Sequence, residues 1–362
     1  MPKNKKKILH LVEAFGGGVF TFLVELANAT CEDYDVVIAY SKRKQTPENF
    51  KGYFNEKVRF IEVKNFTRSI GAKDLKACKE VKKIIKKENP DIVHMHSSKA
   101  GIIGRLVISS KNRKLFYTPH GYSFLKQDDS KLKRFIYKSI EKVTAMYRRK
   151  CTIVACSEGE YKESLKLNKN STYVNNGVNV KEIDKIVKYN KIKDIDTKQL
   201  KICTVGRIGF QKNPELFNKI AEEFPNINFT WIGDGELKEK LTSKNIKVTG
   251  WAKREEVLKQ VAENDIFILP SLWEGLPIAL LEAMYLKKIC IVSNVIGNRD
   301  VIKNGENGFI CDSLEDYKNV ISKIIENKEQ LEQIKARAQK DILESYNTKT
   351  MSESYKKVYT EK

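Results

Sequence analysis

Short apolar runs alternate with amphipathic stretches along nearly all of the 362 residues. In the first half, Ile8 to Val12, Asp35 to Ala39, Val58 to Val63, Ile92 to His94, Lys114 to Thr118 and Thr152 to Cys156 read as strands covered on both faces. Helical spacing separates them at Val19 to Thr30, Lys73 to Glu88 and Ala100 to Ser110. The second half repeats the scheme with strands at Lys201 to Val205, Asn228 to Ile232, Ile246 to Thr249, Asp265 to Leu269 and Lys288 to Ser293, and it ends in helices. Strand–helix alternation of this kind predicts an α/β protein with parallel, doubly wound sheets. The polar Lys/Asp-rich stretch 175–200 predicts the crossing from one domain to the next. The expected division is residues 1–178, then 179–345, then a terminal helix over 346–362.

Length and charge narrow the picture. A chain of 362 residues suits two domains of ~150 to 180 each. No run of ~18 uncharged apolar residues predicts a membrane-crossing helix. The basic lead MPKNKKK is followed by an apolar run that His10 and Glu13 interrupt, with no small-residue cleavage site, so it reads as the approach to a first strand. Seven cysteines form no C-x-x-C pair, and several fall in apolar runs, which predicts buried free thiols in a reducing cytosol. Residues 1–178 carry 36 Lys and Arg against 18 acids, whereas 179–362 carry 31 against 28, so the net +21 belongs almost wholly to the first half.

That charge concentrates between Lys126 and Lys150. There Leu132, Phe135, Ile136, Ile140, Val143 and Tyr147 keep a helical stripe among Lys131, Lys133, Arg134, Lys138 and Lys142. Two readings stand: a helix packed on the core with a solvated cationic face, or one whose cations Lys131, Lys133, Arg134 and Lys138 meet an anionic lipid surface. Nucleic acid is a third partner class, but no binding motif accompanies the charge and none is expected.

The candidate chemistry lies at Phe267 to Met284, FILPSLWEGLPIALLEAM. An apolar strand ends at Pro270, a loop follows, and Pro277 suits the first position of a helix whose free N–H groups form an anion site. Glu274 sits in the loop, and Glu282 lies about 7 Å further along at ~1.5 Å per residue, so one acid can meet a reacting group and the other a more remote hydroxyl. Arg207 and Lys212, in another strand-exit loop, can bracket a diphosphate. Gly16, Gly17 and Gly18 after the first strand allow close backbone approach to a phosphate or form a plain tight turn. His94-x-His96 lacks a third ligand nearby, so no metal site is expected there, and no Asp-x-Asp pair stands near the acids.

These segments carry a resemblance. EGLPIALLEAM, with VGRIGFQKNP (205–214) and WIGDGEL (231–237) at matching order and spacing, resembles the donor site of retaining glycosyltransferases of family 4. That family has the GT-B fold, two Rossmann-like domains facing across a cleft with the last helix crossing back onto the first. HMHSSKAGIIGRL (94–106) and YTPHGYSF (117–124) resemble segments of members that act on lipid-linked polysaccharide precursors.

The resemblance implies a division of labour. Arg207 and Lys212, with Gly17 and Gly18, would hold the donor diphosphate; Glu282 the ribose; Gly250 and Trp251 the base; Glu274, Gly275, Leu276 and Pro277 the sugar. His120 would be the active-site histidine, and Ser97, Lys99 and Tyr122 would lie on the acceptor side. Where many relatives carry an acid two residues after the glycines, this chain has Phe20 and Thr21.

The implied activity is transfer of a hexose or N-acetylhexosamine from a UDP-sugar to a lipid-linked saccharide. It would proceed with retention and without metal or other cofactor, in capsule, exopolysaccharide or O-antigen synthesis. The implied place is cytoplasmic, peripheral on the inner face of the membrane. A GT-B nucleotide-sugar epimerase and a non-catalytic nucleic-acid module are the competing readings.

Overall fold

A computed structural model of the chain describes residues 5–43, 45–67, 71–187, 200–326 and 331–361. Residues 188–199 of the expected inter-domain stretch lie outside the described residues. The chain forms two compact units, residues 1–125, 129–176 and 348–362 in one, and 126–128 and 177–347 in the other.

The first unit runs β1 (Lys7–Phe15), α1 (Gly17–Thr30), β2 (Asp35–Lys42), β3 (Arg59–Glu62), α2 (Lys73–Glu88), β4 (Ile92–His96), α3 (Ser98–Val107), β5 (Lys114–Thr118), α4 (Lys131–Tyr147), β6 (Cys151–Ala155), α5 (Glu158–Leu165) and β7 (Ser171–Tyr173). Its strands are all parallel in the order β3-β2-β1-β4-β5-β6-β7 among the described residues. Strand order reverses between β1 and β4. A crevice at the carboxyl ends of these strands is where such sheets bind ligands, and Gly16 to Gly18, Ser97 and His120 all follow the ends of β1, β4 and β5. The helix at Thr348–Thr360 belongs to this unit, where Thr348 Oγ1 donates to Glu25 Oε2 (2.9 Å) and Tyr359 OH meets His94 Nδ1 (2.7 Å).

The second unit runs α6 (Val180–Ile186), β8 (Lys201–Val205), α7 (Pro214–Glu223), β9 (Asn228–Ile232), β10 (Ile246–Val248), α8 (Arg254–Ala262), β11 (Ile266–Leu269), α9 (Ile278–Tyr285), β12 (Ile289–Ser293), α10 (Asn298–Val301), β13 (Phe309–Cys311), α11 (Leu314–Glu326) and α12 (Leu331–Ser345). Its parallel order is β10-β9-β8-β11-β12-β13 among the described residues, reversing between β8 and β11. The loops leaving β8 and β11, which carry Arg207, Lys212 and Glu274, therefore stand side by side at the switch point. Each unit has its own apolar core, the first around Leu11, Met95 and Tyr117, the second around Trp231, Ile268 and Ile291.

One helix departs from its expected packing. Leu132, Phe135, Ile136, Val143 and Tyr147 of α4 are exposed, Phe135 by 68%. What α4 buries instead is Glu141, Thr144 and Ala145. Arg105 of α3, fully buried, pairs through Nη2 with Glu141 Oε2 (2.5 Å), and Tyr117 OH donates to Glu141 Oε1 (2.9 Å). A buried ion pair contributes little net stability, but leaving either charge alone is costly, so it fixes which face of α4 turns inward. The reading of the stripe as core-packed is thereby corrected.

Candidate active site

In the second unit, close backbone approach explains the glycines. A Cβ at Gly233 would stand 2.2 Å from the Gly206 carbonyl oxygen, and one at Gly235 would stand 2.2 Å from that of Ile208. The loops after β8 and β9 therefore lie back to back, tied by Ile208 N–H to Asp234 O (2.9 Å) and by Trp231 Nε1–H to Gly206 O (2.8 Å). The same approach leaves Arg207 facing outward, where its Nε donates to Glu236 Oε2 (2.7 Å).

Lys212 Nζ meets Glu274 Oε1 at 2.7 Å. Gln211, its neighbour, donates through Nε2 to the Trp273 carbonyl (2.9 Å), while its own carbonyl accepts from Leu272 N–H (2.8 Å). These bonds lock the two switch-point loops together and hold a cation against an acid that is only 6% exposed. A charge-assisted pair of this kind persists because each ion offsets the other's desolvation. On the far side of Glu274, Gly297 (φ +86°) comes so close that a Cβ there would lie 2.1 Å from the Gly275 carbonyl oxygen. The loop from Trp273 to Ile278 is buried throughout, and with the Leu276 side chain 4% exposed only its backbone is left to offer a ligand. Pro277 is not the first helical residue. With ψ at 117° it stays extended and caps α9, accepting from the N–H groups of Leu280 and Leu281.

Glu282 is 6% exposed on α9 and is bound to Arg254 Nη1 at the start of α8; the Arg254 Nε lies 3.5 Å from Glu182. Burial pushes the Glu282 carboxyl pKa up, and the Arg254 guanidinium opposes that rise. The two acids of the motif thus have separate cationic partners, Lys212 for Glu274 and Arg254 for Glu282. Trp251 is 58% exposed and so is not packed into the core, and Gly250 beside it takes φ +80° with open space around its Cβ position.

The first unit brings all four histidines of the chain together. His10 on β1 lies opposite His94 on β4, and His96 follows on the same face of the strand. His10 Nδ1 and His96 Nε2 are 3.0 Å apart, and His96 Nδ1 and His120 Nε2 are 3.1 Å apart. His94 is occupied at both nitrogens, by Tyr359 OH (2.7 Å) and Thr118 Oγ1 (2.8 Å). Burial lowers the pKa of His10 and His120 to about 3 and that of His94 and His96 well below the ordinary value, so these rings are neutral. The sequence spacing supplied two imidazoles; the β1–β4 register supplies the third, and the nitrogens of His10, His94 and His96 lie within 4.8 Å of one another. Among the described residues no carboxylate or thiolate joins this candidate ligand group, and His94 is already hydrogen-bonded at both of its nitrogens.

His120 has φ +55° and Gly121 φ +92°. The turn is held by Glu160, whose Oε1 accepts from Gly121 N–H (2.6 Å) and whose Oε2 accepts from Cys156 N–H (2.8 Å). Positive φ at a non-glycine residue is strain of the kind that gathers at functional sites.

Gly17 (φ +54°) and Gly18 open α1, and a Cβ at either would meet nothing within 4 Å. Phe20 packs edge-on against Phe15, Tyr53 and Phe54. Ser97 takes φ +70° at the start of α3. Lys99 is held by Asp74 Oδ1 (2.6 Å) and the Thr67 carbonyl (2.6 Å). Tyr122 corrects the expectation: it is fully buried, stacked on Phe124 and bonded to Ser164 Oγ (2.8 Å), so it is a core residue and meets no acceptor.

Around α4, Lys133 pairs with Asp129, and Arg134 donates through Nε to the Phe124 carbonyl (3.0 Å), so Arg134 is an anchor of the helix. Lys131 and Lys138 are exposed beside the apolar stripe.

Arg254, Glu236, Gln211, His10 and Glu160 were not singled out as functional from sequence. Gln211 adjoins Lys212 in the quoted segment and His10 sits on the first strand, whereas nothing local to Arg254, Glu236 or Glu160 points to their partners.

Two parallel doubly wound units, each carrying its polar clusters where the strand order reverses, make the GT-B class of glycosyltransferase folds. The solved structures agree. Sucrose-phosphate synthase from Thermosynechococcus elongatus is similar at TM-score 0.81 with 15% identity, covering 98% of each chain. Anabaena Alr3699/HepE in complex with UDP and glucose is similar at TM-score 0.78 with 15% identity, covering 99% of this chain and 100% of that one. At this identity the likeness is one of fold.

Residues 16–182 match the family described as Glycosyltransferase Family 4, and residues 185–341 match Glycosyl transferases group 1. The Escherichia coli UDP-Gal:alpha-D-GlcNAc-diphosphoundecaprenol alpha-1,3-galactosyltransferase is 31% identical over 309 residues, 76% of this chain and 77% of its own length. The chain belongs to the family 4 glycosyltransferases of GT-B fold.

Proposed function

We propose that this glycosyltransferase moves a hexose or N-acetylhexosamine from a UDP-sugar to a lipid-linked saccharide in surface-polysaccharide synthesis, with retention of configuration and without a metal. The observation that carries the donor reading is the pair of buried acids on separate cations, Glu274 with Lys212 at the switch point of one sheet and Glu282 of α9 with Arg254 of α8. The relative whose name specifies UDP-Gal and a diphosphoundecaprenol-linked acceptor supports the substrate classes.

In this mechanism Arg207 and Lys212 take the diphosphate as its charge develops, Glu282 binds the ribose, and Gly250 with Trp251 lies against the base. The N–H groups of Gly17 and Gly18 add phosphate donors. As the sugar–phosphate bond loosens, the leaving phosphate accepts the proton of the incoming hydroxyl on the same face, so no side-chain nucleophile is used. Glu274 and the backbone of Gly275 to Pro277 hold the sugar hydroxyls, and His120 addresses the transferred sugar. Cations pre-aimed at developing charge contribute ~3 to 4 kcal/mol for each well-placed donor, which is why a metal is dispensable. Activity is expected to persist in EDTA; complete loss that magnesium or manganese restores refutes metal independence.

No helix among the described residues is long and apolar enough to cross a membrane. We assign the acceptor's membrane to α4, placing the enzyme on the cytoplasmic face. Its exposed Leu132, Phe135, Ile136 and Val143 enter the interface while Lys131, Lys133 and Lys138 meet anionic headgroups. Phe135→Ser with Val143→Ser lowers binding to anionic and neutral vesicles alike, whereas Lys131→Ser with Lys138→Ser lowers only the anionic case, by roughly 1 kcal/mol per residue. Unchanged vesicle binding in both variants refutes this assignment. A thermal-shift panel of UDP- and GDP-sugars tests the donor: stabilisation by UDP-sugars alone is expected, and preference for GDP-sugars overturns it. Incubation with UDP-sugar alone, followed by NMR, separates transfer from epimerisation; a new epimer formed without acceptor contradicts the proposal.

A further inference from the structure

Three imidazoles form an unbroken chain from the core of the first unit to the strained residue after β5. His10 Nδ1 meets His96 Nε2 at 3.0 Å, and His96 Nδ1 meets His120 Nε2 at 3.1 Å. At the inner end, His10 Nε2 is buried without a hydrogen-bond partner. Each ring is neutral and so has one N–H and one bare nitrogen. The contacts therefore admit two concerted arrangements: every proton on Nδ1, or every proton on Nε2.

The orphan end decides between them. With protons on Nε2, a buried N–H of His10 is stranded; with protons on Nδ1, what is stranded is a bare nitrogen. Among backbone groups, buried orphan N–H donors are rarer than under-satisfied acceptors, and the same preference carried over to the imidazole favours the bare nitrogen. We propose that His10 and His96 are positioning residues that fix His120 as the Nδ1–H tautomer, so that His120 presents an N–H donor outward and keeps Nε2 as the acceptor of the His96 proton.

The surroundings support a fixed ring. Phe22 packs edge-on against His120 with centroids 4.7 Å apart, and Glu160 holds the Gly121 amide next to it. His94 stands outside the chain, since its nitrogens are taken by Tyr359 and Thr118. A donor fixed at His120 Nδ1 suits a neutral hydroxyl or ring oxygen of a sugar. A mobile tautomer would offer a lone pair there part of the time. This inference rests on the assignment of His120 to the transferred sugar, but its first readout does not.

The test is two-bond 15N–1H correlation on full-length protein labelled at histidine, with each of the four residues assigned by substitution. Wild-type His10, His96 and His120 are expected to show a protonated Nδ1 and a bare Nε2. In H96L, His120 shifts to a mixture or to the Nε2–H form; H96N, whose amide N–H replaces Nδ1–H, restores the wild-type pattern. H10N, which keeps the donor to His96, leaves His120 unchanged and serves where H96L folds poorly. A protonated Nε2 on wild-type His120, or a His120 tautomer indifferent to H96L, overturns the proposal.

With a working transfer assay, H96L lowers kcat by ~10- to 100-fold with little change in the KM for donor, and H96N recovers most of it. A kcat unchanged in H96L despite an altered tautomer refutes the positioning role. If the tautomers behave as stated but no UDP-sugar is consumed by the wild type, the donor assignment fails and the fixed tautomer stands.

Discussion

Acidification between pH 7.5 and 5.5 is predicted to destabilise the first unit selectively. His10, His94 and His96 are fully buried, and their pKa values are lowered, that of His10 to about 3. In the unfolded chain each titrates near 6.5. A depressed folded pKa gives stability that is present above the unfolded value and is lost as pH falls toward the folded one. For one imidazole held neutral, the loss between pH 7.5 and 5.5 is about 1.4 kcal/mol, so the three together remove about 4 kcal/mol. His120, partly exposed, is left out of that figure.

Against a typical domain stability of ~5 to 15 kcal/mol, this is a large fraction. No histidine lies in the second unit, and all three tryptophans, at 231, 251 and 273, do. Urea titrations followed by tryptophan fluorescence therefore report the second unit. Hydrogen exchange of peptides from β1, β4 and β5 reports the first. The exchange-derived stability of β1 and β4 is expected to fall by about 4 kcal/mol over this range while the tryptophan transition moves by less than ~1 kcal/mol. H10L should reduce the fall by about a third. A first-unit stability flat across the range refutes the neutral, buried cluster.

Other predictions address the donor side and the packing of α4. Lys212→Met should weaken UDP binding ~10- to 100-fold through loss of a charge-assisted contact, whereas Glu274→Gln, which frees Lys212 from its carboxylate, should leave UDP affinity unchanged or tighter while transfer falls ~100- to 1,000-fold. Calorimetry with UDP decides this, and equal loss of affinity in both variants sinks the division of roles. Glu282→Ala should weaken UDP binding by ~10-fold or more in the same titration; unaltered affinity would remove it from the ribose. Glu141→Leu should cost ~3 to 5 kcal/mol by stranding Arg105, and the double variant with Arg105→Met should recover most of it. Denaturation midpoints alike in the single and double variants contradict the account of how α4 is oriented.

The strands were legible because runs such as Ile266–Leu269 are apolar on both faces, and parallel sheets covered by helices require that. The short edge strands β7 (Ser171–Tyr173) and β13 (Phe309–Cys311) were not, whereas β10 (Ile246–Val248), equally short and also at an edge, was. Glu274 and Glu282 were legible through their place around a helix start, but their cationic partners were only half so: Lys212 stands in a recognisable loop segment, whereas nothing in the sequence around Arg254 marks it. Pairings between residues far apart in the chain leave no local trace. The same reason explains α4, whose period is legible and whose buried side is not, because Arg105 stands 36 residues before Glu141, on the preceding helix with β5 between them. Likewise the third imidazole at His10 comes from strand register, and the burial of Tyr122 follows from the turn at Gly121.

The most direct test of the central claim is the anomeric configuration of the product. The full-length protein is incubated with UDP-sugar carrying 13C at the anomeric carbon and a diphosphate-lipid-linked saccharide, and the one-bond C–H coupling of the new linkage is read by NMR. The account predicts a product with the configuration of the donor, formed in the presence of EDTA. An inverted linkage, or no transfer from any UDP-sugar to such an acceptor, contradicts it.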